Sequence, residues 1–275
     1  MKIVFSTKNV SRASFLDTCR FAYDYGFEGF EIYDAVKERN DHHDSILRRE
    51  RIADAKRKLV NRGLTVSALR MPLPVESDDV TAELIKKYVD MAGGADIENV
   101  IVRAEENVSF DVLDEKLTAA IKSAEALDVN ILFETVGHLA HTENVIGIIN
   151  HFASAVIGVA WNVRGTYFDA EESAETTIKN LGAYIKYVRL GDMKDGKTVL
   201  IGEGDLEVGK LLNALSSLNY DGFICAAWNE EISDADIVLT HFTNYISALN
   251  RAKKSYDHAY YNRDKTGTFV WKKYD

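Results

Sequence analysis

Short apolar runs alternate with longer amphipathic segments along most of the chain, and this alternation repeats eight times. Continuous apolar stretches such as VIGVAW are typical of strands buried on both faces, whereas apolar residues at helical spacing predict amphipathic helices. The predicted strands are residues 2–5, 26–34, 64–70, 98–104, 129–134, 156–162, 185–192 and 221–228. The predicted helices run from about residue 11 to Gly26 and over residues 44–61, 78–92, 109–127, 142–153, 171–181, 206–218 and 234–254.

The regular alternation of strands and helices predicts a parallel sheet, and eight such units are the number that closes into a (β/α)8 TIM barrel. An open doubly wound sheet is the alternative, but no GxGxxG pattern follows the first predicted strand. In a barrel of this kind, active sites lie at the carboxyl ends of the strands. Functional side chains are therefore expected at, or directly after, the ends of the predicted strands.

The composition fits one α/β domain in a reducing compartment. The chain has 275 residues, 46% of them apolar, and an ordinary barrel needs about 250 residues. Its two prolines, Pro72 and Pro74, mark no linker, and its two cysteines, Cys19 and Cys225, predict core positions rather than a disulfide framework. We expect residues 1–254 to form a single barrel and residues 255–275 to form an extension or a linker.

Charge and hydropathy argue against several classes of function. A formal charge of −10 disfavours broad nucleic-acid binding, which needs a basic face. The segment MKIVFSTKNV is too short and too polar for a secretory signal, and no run of about 18 apolar residues predicts a membrane span. The prediction is a cytoplasmic protein with a small-molecule partner, compatible with a homo-oligomer or a fused domain.

Three motifs occur in the order and spacing of one known family. They are GFEGFEIYD (26–34), NLGAYIKYVRLGDMKDGK (180–197) and LIGEGDLEVGKLLNALSSLNYDGFI (200–224). The chain from about Gly26 to Tyr245 thereby resembles the xylose isomerase-like barrels, also called the AP-endonuclease-2 family of sugar isomerases and epimerases. The segment TGTFVWKKYD resembles the lead-in of acyl-adenylating ligases, which implies a fusion. The alternative is a surface extension that packs its aromatic residues on the barrel.

The family resemblance implies a divalent Mn²⁺, Mg²⁺ or Zn²⁺ ion. Its ligands in the family are Glu, Asp, His and Glu on the fifth, sixth, seventh and eighth strands. Glu134 matches the first ligand, but the other three positions carry Asn162, Arg189 and Ala227. A histidine that follows the sixth strand in many relatives is Arg164 in this chain.

The charges at these positions do not suit a metal ion. Hard divalent cations need several oxygen ligands, and a guanidinium cannot be deprotonated to become a ligand. Glu134 and Arg189 together carry no net charge, Asn162 is a weak ligand and Ala227 is none. We predict no metal and no other cofactor, with Arg189 paired bidentately to Glu134 in the place of the ion. The alternative is a metal ion bound by a different set of ligands, such as Glu134 with His138 and a rim carboxylate.

Arginines are concentrated at the predicted strand ends, although the chain is acidic. Guanidinium forks suit carboxylates and phosphates, and low-dielectric walls would focus their field. The functional interpretation is a pocket for an anionic ligand such as a sugar acid or a sugar phosphate. The structural interpretation is that each arginine pairs with a nearby carboxylate. The arginines are Arg70, Arg103, Arg164 and Arg189, and the carboxylates are Glu105, Glu106, Glu134 and Asp192.

Glu134 is the candidate acid or base of an enzyme. Burial would raise the pKa of this carboxyl and a paired arginine would lower it, and the sequence leaves the balance open. Glu134 would move a proton next to a carbonyl, while Arg189 or Arg164 stabilises the resulting oxyanion. His138, with His141 beside it, is the candidate second base. The alternative role for Glu134 is a structural ion pair.

Other residues fall at the same predicted rim. We expect Asn162, Trp228 and Glu203 to contact the substrate, and Glu203 to order its loop through backbone hydrogen bonds. Trp161 is expected in the core, while Asp192 is expected to orient Arg189 or to cap its loop. The remaining candidates are His42, His43 and Tyr167 at the rim, with His241 inside the last helix.

Two functions are compatible with these residues. The first is a sugar isomerase- or epimerase-like enzyme that acts on an anionic carbohydrate-type ligand without the metal. The second is a non-catalytic ligand-binding or accessory domain that keeps the scaffold alone. Fold by itself does not decide between them, because one scaffold can carry many different sites.

Overall fold

Eight parallel strands in the described part of the chain close into a barrel, which confirms the predicted fold class. The computed structural model describes residues 1–10, 13–36, 52–228 and 234–261. Neighbouring strands in the sequence pair with each other, and pairing of the first with the last closes the ring. The barrel strands are β1 (Lys2–Ser6), β2 (Gly29–Tyr33), β3 (Thr65–Arg70), β4 (Asn99–Arg103), β5 (Asn130–Glu134), β6 (Ile157–Asn162), β7 (Ile185–Leu190) and β10 (Phe223–Ala226).

The helices cover the outside of the barrel, and five of those described begin after a capping side chain. Ser14, Thr81, Ser109, Ser173 and Asp234 each accept a hydrogen bond from a backbone N–H of the first turn. The first helix therefore begins after Ser14 rather than near residue 11, and the last continues past the predicted end at residue 254. The helices are α1 (Phe15–Asp24), α2 (Ile52–Val60), α3 (Ala82–Gly94), α4 (Phe110–Leu127), α5 (Thr142–Phe152), α6 (Ala174–Leu181), α7 (Val208–Ser217) and α8 (Ala235–Tyr261).

Apolar side chains fill the barrel below its mouth. A second, larger core lies between the strands and the helices, and Trp161 is fully buried in it. The indole N–H of Trp161 donates to Oγ1 of Thr166 at 2.8 Å, so its polar atom is satisfied. The residues inside the barrel are Val4, Ala68, Ile101, Leu132, Ala160, Tyr187, Phe223 and Cys225. Because these side chains fill the interior, the carboxyl ends of the strands are left as the place for a ligand.

An antiparallel hairpin of β8 (Asp192–Lys194) and β9 (Lys197–Val199) follows β7 and shapes one side of the mouth. The carboxylate of Asp192 is buried there and accepts four backbone hydrogen bonds. A Cβ atom at Gly204 would lie 2.3 Å from Oδ1 of Asp192, so this close approach requires glycine. Asp192 thus caps the loop that follows the hairpin. The four donors are the amides of Met193, Gly202, Gly204 and Leu206, at 2.8, 2.9, 3.0 and 3.1 Å.

None of the described helices is both long enough and apolar enough to cross a membrane.

Candidate functional site

Four charged side chains meet at the centre of the barrel, near the carboxyl ends of their strands. Glu31 comes from β2, Arg70 from β3, Glu134 from β5 and Arg189 from β7. Both glutamates are fully buried, and the arginines are only 7% and 5% exposed. We refer to these four residues as the central ion cluster. Two carboxylates and two guanidinium groups give it no net charge.

Glu134 has partners for both of its carboxylate oxygens. Nε and Nη2 of Arg70 each lie 2.7 Å from Oε2. Nδ2 of Asn162 donates to Oε1 at 2.7 Å, and Nε of Arg189 approaches the same oxygen at 2.9 Å as an ion contact rather than an aligned hydrogen bond. The sequence predicted that Arg189 would contact Glu134 through two nitrogens. Arg70 makes that two-nitrogen contact instead.

Glu31 is the member of the central ion cluster that sequence reasoning missed. Nη1 of Arg189 donates to its Oε2, and Oγ of Ser6 donates to its Oε1 at 2.8 Å. The thiol of Cys225 also lies near Oε2, at 3.9 Å. The available signal was an acidic residue inside the otherwise apolar strand GFEIY, at a position where a charge needs a partner.

The guanidinium groups decide the protonation state of Glu134. Burial alone would raise the pKa of this carboxyl, but Arg70 and Arg189, together with the hydrogen bond from Asn162, lower it to about 2. Burial would likewise lower the pKa of Arg189, but Glu31 and Glu134 raise it well above its usual value. Glu134 and Arg189 therefore both stay ionised at neutral pH.

The residues at the family's metal position do not fit a divalent ion. The guanidinium of Arg189 contacts Glu134 directly, while Asn162 donates its amide N–H to the same carboxylate. A guanidinium has no lone pair to offer a metal and carries a charge that repels one. Within the described residues, no group of three or more His, Cys, Asp or Glu side chains is arranged to hold a metal. Both oxygens of Glu134 are instead occupied by nitrogen donors.

The other two predicted arginines lie outside the central ion cluster. Nη1 of Arg103 contacts Oε1 of Glu105 at 2.9 Å, and its Nη2 donates to the carbonyl of Pro72 at 2.8 Å. Arg164 follows β6, and it makes no hydrogen bond or ion pair with any described residue; its Nε is buried. Two of the four arginines thus belong to the central ion cluster, Arg103 anchors a loop, and Arg164 has no hydrogen-bond or ion-pair partner among the described residues.

The predicted substrate contacts Trp228 and Glu203 take different places. Trp228 is only 9% exposed and packs in the core between strands and helices. Glu203 is exposed, and its carboxylate forms no hydrogen bond or ion pair with the described residues. The loop that contains Glu203 is ordered instead by backbone hydrogen bonds to the carboxylate of Asp192. Tyr167 is half-buried and donates its hydroxyl to the carbonyl of Asp205 at 3.3 Å.

His138 lies on a short 3₁₀ turn directly after β5, on the same face of the barrel as the central ion cluster. Its backbone N–H donates to the carbonyl of Glu105 at 2.8 Å, which fixes the turn. The imidazole is half-buried and forms no hydrogen bond within the described residues. His138 is therefore placed at the mouth with its ring nitrogens available.

The other candidate histidines lie away from the central ion cluster or outside the described ranges. His141 precedes α5, is exposed and makes no side-chain capping hydrogen bond. His241, in α8, shares a hydrogen bond of 2.8 Å with the carbonyl of Ile201 and so holds the loop after the hairpin. His42 and His43 lie outside the described residues.

Comparisons with known proteins agree on the scaffold. Residues 19–245 match the family described as xylose isomerase-like TIM barrels. No curated protein matches the sequence.

Three solved structures illustrate the similarity, and at their low sequence identity they show the fold alone. A xylose isomerase domain protein from Alicyclobacillus acidocaldarius is 16% identical, with a TM-score of 0.74 over 90% of this chain and 98% of the other. An L-ribulose 3-epimerase is 18% identical, with a TM-score of 0.73 over 96% and 99%. The IOLI protein with a bound zinc atom is 15% identical, with a TM-score of 0.73 over 92% and 99%.

The charge balance of the central ion cluster predicts strong coupling between its members. Arg189→Met leaves Glu31 buried without its guanidinium partner and should lower the free energy of unfolding by about 3–5 kcal/mol. The double variant Glu31→Gln/Arg189→Met removes one charge of each sign and should lose much less than the sum of the single variants. Urea denaturation measures these values, with Arg164→Met as the control arginine outside the cluster. Additive losses would contradict this assignment.

The ionisation of Glu134 gives a second prediction. Its folded-state pKa of about 2 lies below the ordinary value of 4.5, so its stabilising contribution is complete above about pH 4.5 and is lost as the pH falls towards 2. A carboxyl-carbon NMR titration of the folded protein should show a midpoint near 2 for Glu134 and a higher midpoint in Arg70→Met. A wild-type midpoint at or above 4.5 is incompatible with the ion contacts described.

Proposed function

This chain belongs to the family of xylose isomerase-like TIM barrels, and we propose that it binds a small anionic carbohydrate-type ligand without a divalent metal. A sugar acid or a sugar phosphate is the ligand class. The ligand would lie at the mouth of the barrel, above the central ion cluster. The observation that carries the proposal is that cluster, because it supplies fixed guanidinium groups where the family places an ion.

The contacts of the central ion cluster leave room for a ligand anion. Within the described residues, Arg70 uses Nε and Nη2, and Arg189 uses Nε and Nη1. One terminal nitrogen of each guanidinium therefore stays outside the cluster's own contacts, and the side chains keep 8% and 6% of their surface exposed. Terminal guanidinium nitrogens are strong donors to carboxylate and phosphate oxygens.

Arg164 supports an anionic ligand independently. It is the rim arginine without a contact among the described residues, and its Nε is buried. Because the central ion cluster is neutral as a whole, an arginine without a counter-charge among the described residues would add positive charge to the mouth. The family, and solved relatives that include sugar epimerases, support the carbohydrate class.

The geometry best supports a ligand-binding function in which Glu134 has no catalytic role. A general base works best with a pKa near the working pH, and the pKa of Glu134 is about 2. Its carboxylate is also fully buried, so a substrate carbon has no surface of Glu134 to contact. We assign Glu134 the task of fixing Arg70 and Arg189, and Asn162 the task of holding Glu134.

A metal-free isomerase or epimerase is the second candidate, because His138 lies at the mouth with its ring nitrogens available. His138 would take the proton next to a carbonyl, and the terminal nitrogens of Arg70 and Arg189 would stabilise the enediolate oxygen. The sugar-epimerase names of solved relatives favour this candidate.

Ligand binding is tested by calorimetry in EDTA. The probes are D-glucuronate, D-gluconate and D-ribose 5-phosphate, with neutral D-glucose and D-ribose for comparison. We expect at least one anionic probe to bind with a Kd that is the same in EDTA and in Mn²⁺. Arg164→Met should weaken that binding by about tenfold, the effect of one charge-assisted hydrogen bond. Arg20→Met, on an exposed surface of α1, is the control. A probe that binds only in the presence of Mn²⁺ would refute the proposal. Neutral sugars that bind as tightly as the anionic probes would also refute it.

Solvent deuterium separates the two candidate functions. For a binding protein we expect no deuterium to enter the carbon skeleton of the bound sugar in D₂O. Incorporation that is lost in His138→Gln and kept in the exposed variant His141→Gln would instead establish the enzyme. Mass spectrometry and proton NMR of the recovered sugar measure the exchange.

A further inference from the structure

Two loops meet at the rim beside the central ion cluster and are joined by Glu76. Oε1 of Glu76, in the loop after β3, accepts the backbone N–H groups of Glu105 and Glu106 at 2.8 and 3.0 Å. The ammonium of Lys116 donates to the carbonyls of Val75 and Ser77 at 2.7 and 2.9 Å. Both residues that flank Glu76 are thus held, which fixes the position of its carboxylate.

The second oxygen of this carboxylate is buried without a partner in the described part of the chain. Oε2 of Glu76 is inaccessible to solvent and forms no hydrogen bond with any described residue. An unpaired buried polar atom costs on the order of 1–3 kcal/mol, and more when the group is charged. Native proteins retain few such atoms, and a bound group is one explanation for those that remain.

A donor in the same state lies on the neighbouring strand. Nε of Arg103 is buried without a partner among the described residues, although its terminal nitrogens are engaged by Glu105 and by the carbonyl of Pro72. Glu105 connects the two groups, since its amide binds Glu76 and its carboxylate binds Arg103. Arg103 is also the register partner of Glu134 in the pairing of β4 with β5.

An acceptor and a donor that both lack a partner among the described residues define which ligand group could bind between them. An anion would be repelled by Glu76, and a cation would be repelled by Arg103. A hydroxyl group satisfies both, because it has one O–H donor and lone pairs that accept. Repeated hydroxyl groups are the defining feature of carbohydrates and polyols.

We propose that Glu76 and Arg103 form a hydroxyl-binding subsite in which a ligand hydroxyl donates to Oε2 of Glu76 and accepts from Nε of Arg103. This inference rests on the proposed function, because it names the part of the mouth that recognises the neutral portion of the same ligand. Arg164 and the terminal nitrogens of the central ion cluster would hold the anionic group. The two kinds of contact together distinguish a polyhydroxylated acid from a simple anion.

Neutral polyols test the subsite separately from the anion site. Crystals of the wild-type protein grown in EDTA are soaked in xylitol, D-arabinitol or D-glucitol, and parallel soaks use Glu76→Gln. The glutamine keeps an oxygen for the amides of Glu105 and Glu106 but presents an NH₂ donor where the ligand hydroxyl needs an acceptor. Affinity for the same polyols is measured by NMR titration. Glu83→Gln, at an exposed glutamate in the first turn of α3, is the matched control, since it leaves Glu76, Arg103 and their partners in place.

We expect a polyol oxygen within hydrogen-bond distance of both atoms in the wild type, and its absence in Glu76→Gln. Polyol affinity should fall by about tenfold or more in Glu76→Gln and stay unchanged in Glu83→Gln. An ordered water in the bridging position of every soaked crystal would overturn the proposal, and so would a direct contact between Glu76 and Arg103. If no anionic probe binds the wild type while a polyol bridges the two residues, the proposed function fails and the subsite stands.

Discussion

Two carboxylates buried at the centre of a barrel require two positive charges beside them, and this constraint governs the mouth of the protein. Taking an isolated carboxylate out of water is so unfavourable that it would otherwise be protonated. Arg70 and Arg189 meet the requirement for Glu134 and Glu31 through short contacts. The positive charge is part of the chain, so it does not depend on the supply of an ion.

A fixed guanidinium differs from a metal ion in what it offers a ligand. A metal binds two or more oxygens of a neutral sugar and acidifies them, whereas a guanidinium donates directional hydrogen bonds without accepting electron pairs. The ligand oxygens that match such donors best are those of carboxylates and phosphates. Under the proposed function, a guanidinium at this position would therefore favour recognition of an acidic sugar over polarisation of a neutral one.

The fold was predictable from the sequence because it rests on repetition. Eight apolar runs with helical segments between them leave few alternatives, and a strand such as VIGVAW appears as β6 with little change in its limits. The limits of the helices were less predictable, since Ser14 rather than an earlier residue caps α1. The long helix α8 also has no proline or glycine near residue 254 that would have ended it.

The site was predictable only in part, because its contacts join distant strands. The family positions drew attention to Glu134 and Arg189, but nothing local to β2 indicates that Glu31 faces Arg189 across the barrel. The arginines Arg70 and Arg103 both end strands, yet one pairs with Glu134 and the other with a loop. Side-chain direction and rotamer decide between these outcomes, and the order of residues does not contain them.

Anomalous X-ray scattering at the mouth of the barrel tests most directly whether a side chain has replaced the ion. Crystals of protein purified without chelator and soaked in Mn²⁺ and Zn²⁺ would be measured at the absorption edge of each metal. We expect continuous guanidinium density between Glu31 and Glu134, with no anomalous peak at this position. A peak within bonding distance of the oxygens of Glu134, with Arg189 turned aside, would contradict it.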